Sequence, residues 1–485
     1  MIYKFLIILL VFILISSISF CEDKKKVLII YDVLTRIGED YSLGKLLEKY
    51  LSHYNVEVGS VSSDIISNVE KYDLIIYLGL EEKFLKKSFL KEISKARKII
   101  WIEANIYDYV KYIGCKDFKG EGKQLGFTSL IYKNKEIPFE PENSVYIIKP
   151  QKGKILSYIS DGINKYPWVF NIDNLYYFGR LDFRDNTGII FLDLLHEILE
   201  VKHKNSKKAM IILDDISPLT SAEFLEEKLK TYCCQGVPYL LVVHPTIKKD
   251  GKIFYLWDNE KLLSLLRKVE ESGGFIIQGS FYENDYNSRI NNDLNLLASC
   301  ELYPVAFKMY DIPYKEKRVD AGKYFKIILD DSLILTKDLY TLIYPVNLGK
   351  YNPRDPKNKI EVFKKAKEFL AFRDIIIGIS IPSYVSSEDI EELISNLKDL
   401  GYDFLDFSQE PYQVANENLI ITNKNGKKWV VSKISPYSKT AIEKFFDRFI
   451  AYLKIFLIVV IISFLLIIIL LINNKRKLYE RELKK

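Results

Sequence analysis

Apolar positions along the chain follow two patterns that take turns. Short unbroken apolar runs, of the kind that stay dry on both faces of a parallel sheet, alternate with longer amphipathic stretches at helical spacing. Between residues 26 and 110 strands are expected at 26–31, 56–61, 73–78 and 98–103, the second broken by Glu57, Gly59 and Ser60, with amphipathic stretches at 42–53, 65–70 and 82–96. That order predicts an N-terminal doubly wound open α/β sheet. From 111 to 205 the pattern shortens into a β-rich insert, with strands expected at 127–132, 144–148, 155–158, 168–171, 175–178 and 188–191, and a helix at 191–203. From 206 to 408 alternation returns. Strands are expected at 209–213, 237–243, 274–277, 304–308, 324–329, 342–344, 375–379 and 404–406, and helices at 221–232, 259–272, 359–372 and 387–400. Seven or eight strand–helix steps predict a distorted (β/α) barrel, closed or incomplete. Residues 409–448 read as a hairpin, turned at Asn425-Gly426, and a stalk.

Both ends carry membrane patterns. The apolar stretch 449–472 is long enough to span a bilayer, and the basic tail 473–485 places itself in the cytoplasm by the positive-inside rule. The expectation is a single-pass protein of the cell membrane with its bulk extracytoplasmic. Residues 1–19 read as a signal peptide: Lys4, an apolar stretch at 5–15, then Ser17-Ile-Ser19, with cleavage after Ser19. Phe20 stands where a lipoprotein signal has a small residue, which argues against lipidation of Cys21. An uncleaved first segment would make two spans with the same large region outside.

Composition narrows the classes. The chain has 485 residues, 48% hydrophobic and 28% charged, enough for two or three domains with their own cores. A net charge of +6 spread over it leaves no footprint for nucleic acid. Its 5 cysteines, Cys21, Cys115, Cys233, Cys234 and Cys300, show no metal spacing and no disulfide framework. The loop after the first strand, Asp32-Val-Leu-Thr-Arg36, lacks the glycines of a dinucleotide fingerprint and a phosphate-binding lysine. The first domain therefore reads as binding or scaffolding.

Candidate chemistry begins where the apolar run Ala209-Met-Ile-Ile-Leu213 ends in Asp214 and Asp215, followed by Ile-Ser-Pro218. Carboxyl ends of strands are where α/β barrels and open sheets place their sites. The competing reading is that Asp215 or Ser217 caps the helix starting near Ser221. In the β-rich insert, the aromatics Tyr166, Trp168, Phe170, Tyr176, Tyr177 and Phe178 could stack on sugar rings or serve as core. His196 and His203 read as packed or solvated helical residues.

The segments Ile212-Leu-Asp-Asp-Ile-Ser-Pro218, Gly236-Val-Pro-Tyr-Leu-Leu-Val-Val-His-Pro245 and Gly273-Gly-Phe-Ile-Ile-Gln-Gly279 resemble the polysaccharide-deacetylase (NodB-homology) superfamily, in particular an uncharacterised membrane-associated branch. Residues 344–351 and 397–404 fit as well, so the resemblance covers about 206–408. It implies a deacetylase-type distorted barrel, with Asp214 as general base and Asp215 as a metal ligand. It also puts Gln278 and Tyr282 where the family has two metal-binding histidines, Asp311 near another expected histidine, and Ile381 at a further one. The histidine ligands are lost. No cofactor is expected, and a divalent metal enters only if the domain is active. His244 is then the substitute imidazole, and Glu283, Asp285, Asp258 and Asp311 the oxygen donors for a harder ion. Asp214, Gln278, Tyr282 and Asp311 become substrate-binding positions on one face of the strand ends. Three functions follow: a pseudoenzyme that binds an envelope glycan or exopolysaccharide without cutting it, a metal-dependent hydrolase with altered ligands, or a structural partner in an envelope assembly.

Overall fold

A computed structural model describes residues 24–32, 43–44, 47–48, 50–51, 53–115, 118–183, 185–201, 206–279, 286–308, 323–329, 335–336, 345–424, 426–437, 449, 452–469 and 472. Two compact units result, Met1–Ile434 and Ser435–Lys485. The signal-peptide and lipidation expectations, His203, Tyr282, Glu283, Asp285, Asp311, Asn425, the 342–344 strand and the basic tail lie outside the described residues.

In the first unit the runs β1 (Lys26–Tyr31), β2 (Glu57–Ser62), β3 (Leu74–Gly79) and β4 (Ile99–Glu103) pair in parallel in the order β2-β1-β3-β4. The insert supplies β5 (Phe118–Gln124), β6 (Ser129–Tyr132), β7 (Lys135–Pro138), β8 (Val145–Pro150), β9 (Lys154–Ser160), β10 (Lys165–Ile172) and β11 (Leu175–Phe178). Five of these continue the same sheet beyond β4 as β11-β10-β9-β6-β7, while β5 and β8 form a separate pair. The insert's rings are core: Trp168, Phe170, Tyr177 and Phe178 are fully buried. Their burial explains them without a sugar.

The expected strand at 188–191 is helical, within Asn186–Ile198. Asp185 accepts from the Thr187 N–H at 2.8 Å and starts the helix, and Gly188 sits close against the Phe183 backbone, so the apolar run continues on a helical face. The expected helix at 65–70 reduces to one 3-10 turn, Val69–Lys71, and that at 82–96 to Lys87–Ile93.

The second sheet begins with β12 (Lys207–Ile216), β13 (Leu240–Val243) and β16 (Phe275–Gly279), while β14 (Thr246–Lys249) and β15 (Lys252–Tyr255) between the last two pair only with each other as a hairpin. It continues with β17 (Ala306–Lys308), β18 (Ile327–Leu329), β19 (Leu335–Thr336), β20 (Pro345–Lys350), β21 (Ile375–Ile381) and β22 (Asp403–Phe404). Its order is β19-β18-β17-β16-β13-β12-β21-β20, with β22 against β12. All pairs are parallel except β18 with β19. β23 (Gln413–Ala415), β24 (Leu419–Lys424) and β25 (Lys427–Ser432) make the predicted hairpin plus one strand. A continuous apolar cluster runs from Val27 and Ile76 of the first sheet to Ile211 and Val243 of the second.

The second unit contains the helix Tyr452–Ile469, 18 residues with a mean hydropathy of 3.0. It is long and apolar enough to cross a membrane.

Candidate functional site

Asp214 and Asp215 stand at the carboxyl end of β12, as expected, and a bulge aims them. Leu213 pairs with Leu241 but Ile216 with Val243, so β12 carries one extra residue there. Asp215 takes the left-handed conformation, with φ of 60°, that lets the chain absorb it. A second irregularity faces it across β21: Asn347 pairs with Gly378 but Lys350 with Ser380, with Gly349 at φ 93°.

The capping reading is settled by Ser221. Its hydroxyl accepts from the Phe224 N–H at 3.2 Å and starts the helix Ala222–Gln235, so neither aspartate is needed there. Ser221→Ala should cost about 1 kcal/mol in urea unfolding of the full chain in detergent. A neutral result would return the capping role to Asp215 or Ser217.

What the aspartates do instead was not foreseen. Lys308, the last residue of β17, donates from Nζ to Asp214 Oδ2 at 2.5 Å and to Ser380 Oγ at 2.7 Å. All three residues are buried. In sheet order β17 is three strands from β12 and four from β21. Flat, those gaps would be about 14 and 19 Å, farther than a lysine side chain reaches, so the ion pair requires the sheet to curl around it. The other Asp214 oxygen accepts from the Asp215 N–H at 3.1 Å. Asp215 is half-buried; desolvation, then the charge of Asp214, raises its pKa above the usual carboxylate value, opposed by Lys350 and Lys308.

His244 follows β13 and is almost fully buried. Desolvation lowers its pKa to about 4, with Asp214 working against the shift and Lys308 and Arg289 adding to it. Its ring lies against Gly279: a Cβ there would come within 2.5 Å of His244 Cε1. Gly279 therefore faces the same side as His244 and Asp214. Strand alternation then sends Gln278 to the opposite face, where its Nε2 donates to Ile290 O at 2.9 Å and its Oε1 is buried with no hydrogen-bond partner among the described residues. The expected placement of Gln278 beside Asp214 is thus corrected. A register read from glycine alignment was one residue off in facing. Asp258 holds its own turn, accepting from the Tyr255 N–H at 2.8 Å.

Lys308 and Ser380 were missed as site residues, although one signal pointed to Lys308. Val305-Ala-Phe-Lys308 is an apolar strand ending in a cation, complementary to one ending in anions.

The resembled family implies a divalent metal at this strand end, and the described residues, which do not include Glu283, Asp285 or Asp311, do not fit one. Asp214 already holds an ammonium in a buried site, so a metal there would meet a positive charge within the same cluster. On the strand that should supply the first imidazole, the site-facing residue is a glycine.

No known family and no curated protein matches the chain. Solved structures are similar in part. One is a β-galactosidase from Rahnella sp. R3, at TM-score 0.28 and 12% identity over 38% of this chain. The chain covers 32%, about a third, of that enzyme's length. The Bc1960 peptidoglycan N-acetylglucosamine deacetylase matches at TM-score 0.27 and 14% identity, over 41% of this chain and 86% of that one. The family 4 carbohydrate esterase PdaA of Bacillus subtilis matches at TM-score 0.26 and 12% identity, over 44% and 86%. Similarity at this level says nothing about chemistry.

Proposed function

We propose that the chain is a glycan-binding pseudoenzyme held to the cell membrane by the helix Tyr452–Ile469, with the first unit outside the cell. The observation that carries the reading is the buried Lys308–Asp214 pair, which occupies the carboxylate that would otherwise serve as base. The Asp214 carboxylate is already bonded to the Lys308 ammonium, and activating a water for hydrolysis needs a carboxylate free to take its proton and a metal to acidify it. Glycan binding needs neither. It is supported by the motif resemblance and by rings on loops leaving the carboxyl edge of the second sheet: half-buried Tyr255 and Trp257, stacked at 4.7 Å, and Tyr384, 46% exposed with the Arg354 guanidinium 5.5 Å from its centroid. Amphipathic rings beside charged groups suit sugars, which offer apolar faces and hydroxyl edges.

The test uses the full chain in detergent. Acetate release from acetylated chitooligosaccharides with added zinc, cobalt or nickel should stay at background. Binding on a glycan array should be detectable, and Tyr384→Ala should weaken it roughly three- to ten-fold. Metal-dependent acetate release abolished by Asp214→Asn would make the protein a hydrolase. Absence of any glycan binding would leave an assembly role instead.

A further inference from the structure

At the opposite end of β21 from Ser380, two of the chain's 4 histidines converge on Asp374. Asp374 immediately precedes β21, six residues or about 20 Å of strand from Ser380, so this cluster is separate from the Asp214 site. His196 comes from the helix Asn186–Ile198 and His53 from the turn before β2. Asp374 Oδ2 lies 2.8 Å from His196 Nε2 and 3.2 Å from His53 Nε2, and the three atoms lie within 4.8 Å of one another. The side chains of His196 and Asp374 are 5% and 10% exposed, that of His53 35%.

The hydrogen bonds around the cluster set its chemistry. His196 Nδ1 lies 3.0 Å from the Leu192 carbonyl oxygen, which can only accept, so the ring hydrogen is assigned to Nδ1. Nε2 then turns its lone pair toward a carboxylate oxygen. A second imidazole nitrogen is brought to the same oxygen by His53. A proton can join one such pair; a metal ion joins all three donors. Ligands bonded at about 2.0–2.1 Å in a tetrahedral shell stand about 3.3 Å apart, close to the spacings to Asp374.

The surroundings support ligation. Metal-binding histidines commonly donate their other N–H to a backbone carbonyl, as His196 does. The second Asp374 oxygen accepts from the Ser206 N–H at 2.9 Å, which orients the carboxylate. Asp374 is held at φ 52°, a strained conformation for a residue other than glycine. The neighbouring guanidinium is turned elsewhere: Arg373 Nε donates to Asp193 Oδ1 at 2.9 Å and Nη2 to Glu197 Oε1 at 3.0 Å.

We propose that His53, His196 and Asp374 bind one divalent ion of the zinc class, reached from the partly exposed His53 side. Two imidazoles and a carboxylate suit zinc or iron(II) better than calcium or magnesium. The ligands come from the first sheet's connection, the long helix and the entry to β21, so the ion clamps three elements that are far apart in sequence.

The test uses the untagged full chain in detergent, stripped with chelator and reloaded with zinc or cobalt. One equivalent should remain after gel filtration, the cobalt form should absorb in the visible as a low-coordinate site, and zinc should raise the Tm by a few degrees. His53→Ala, Asp374→Asn and His196→Gln should each lower affinity at least roughly ten-fold. His53 is partly exposed, so His53→Ala should fold as the parent does, with an unchanged metal-free Tm; it keeps the test open if the buried variants fail to fold. His244→Gln and Asp215→Asn should retain the ion. A chain that holds no zinc at micromolar concentration, or one whose zinc survives His53→Ala, would overturn the proposal and leave the cluster as a histidine–carboxylate ion pair. Zinc lost only on Asp215→Asn would place it at the β12 end, contradicting this site and the pseudoenzyme reading together.

Discussion

Lys308→Met should lower the unfolding free energy by about 3–5 kcal/mol, because it strands the Asp214 carboxylate in a buried site with its partner gone. Asp214→Leu should cost a similar amount, since it takes the carboxylate away from a buried ammonium. The combination Asp214→Leu/Lys308→Met is expected to recover most of the loss, because replacing both members of a buried pair with apolar groups of similar volume removes both desolvation penalties. The cycle distinguishes a stranded charge from lost packing: packing losses would add, whereas a charge pair gives a large favourable coupling. Urea unfolding of the full chain in detergent is the measurement. Single substitutions that cost under about 1 kcal/mol, or that simply add in the double, would show that the pair does not hold the curled sheet together. The same double variant bears on function. If the pair is structural, glycan binding through the edge loops should survive wherever the fold does.

Much of the fold was legible because parallel strands buried on both faces write themselves as unbroken apolar runs. β1 was read to the residue, and β4, β12 and β21 to within a few. Where the reading failed, tertiary context outweighed pattern. Residues 188–191 are as apolar as any strand, and only the Asp185 cap upstream shows that the run is the buried face of a helix. The insert's place in the first sheet was not readable, since β11 pairs with β4 across more than 70 residues of chain. The site divides the same way. Asp214 and Asp215 stood out because two charges end an apolar strand. Facing was harder: side chains alternate every residue, so placing Gln278 rather than Gly279 on the site side inverted the donor set. Lys308, Ser380 and Asp214 are brought together only by sheet curl, and His53, His196 and Asp374 only by the packing of distant elements. Neither is encoded in local spacing.

Acidification should weaken the fold through His244, by about 3 kcal/mol between pH 6.5 and pH 4. The imidazole is nearly inaccessible, packed on Gly279 and beside the Lys308 and Arg289 charges, so the folded chain resists its protonation down to about pH 4. The unfolded chain takes up that proton at about 6.5. Between those values the unfolded state binds more protons, so stability falls as pH falls; below about 4 both states are protonated and the loss is complete. Above 6.5 the group contributes no slope. Asp214 acts in the opposite sense, favouring the imidazolium, but desolvation is the larger cause and fixes the sign. His244→Gln keeps a polar side chain of similar reach without a titrating group, and the difference between its stability–pH curve and the parent's isolates this one residue from the carboxylates, which both chains share. The parent should lose stability relative to the variant from pH 6.5 down to 4 and run parallel to it outside that window. Curves that stay parallel throughout would mean that His244 reaches solvent, and that the cluster around Asp214 is wetter and more open to a metal than its burial implies.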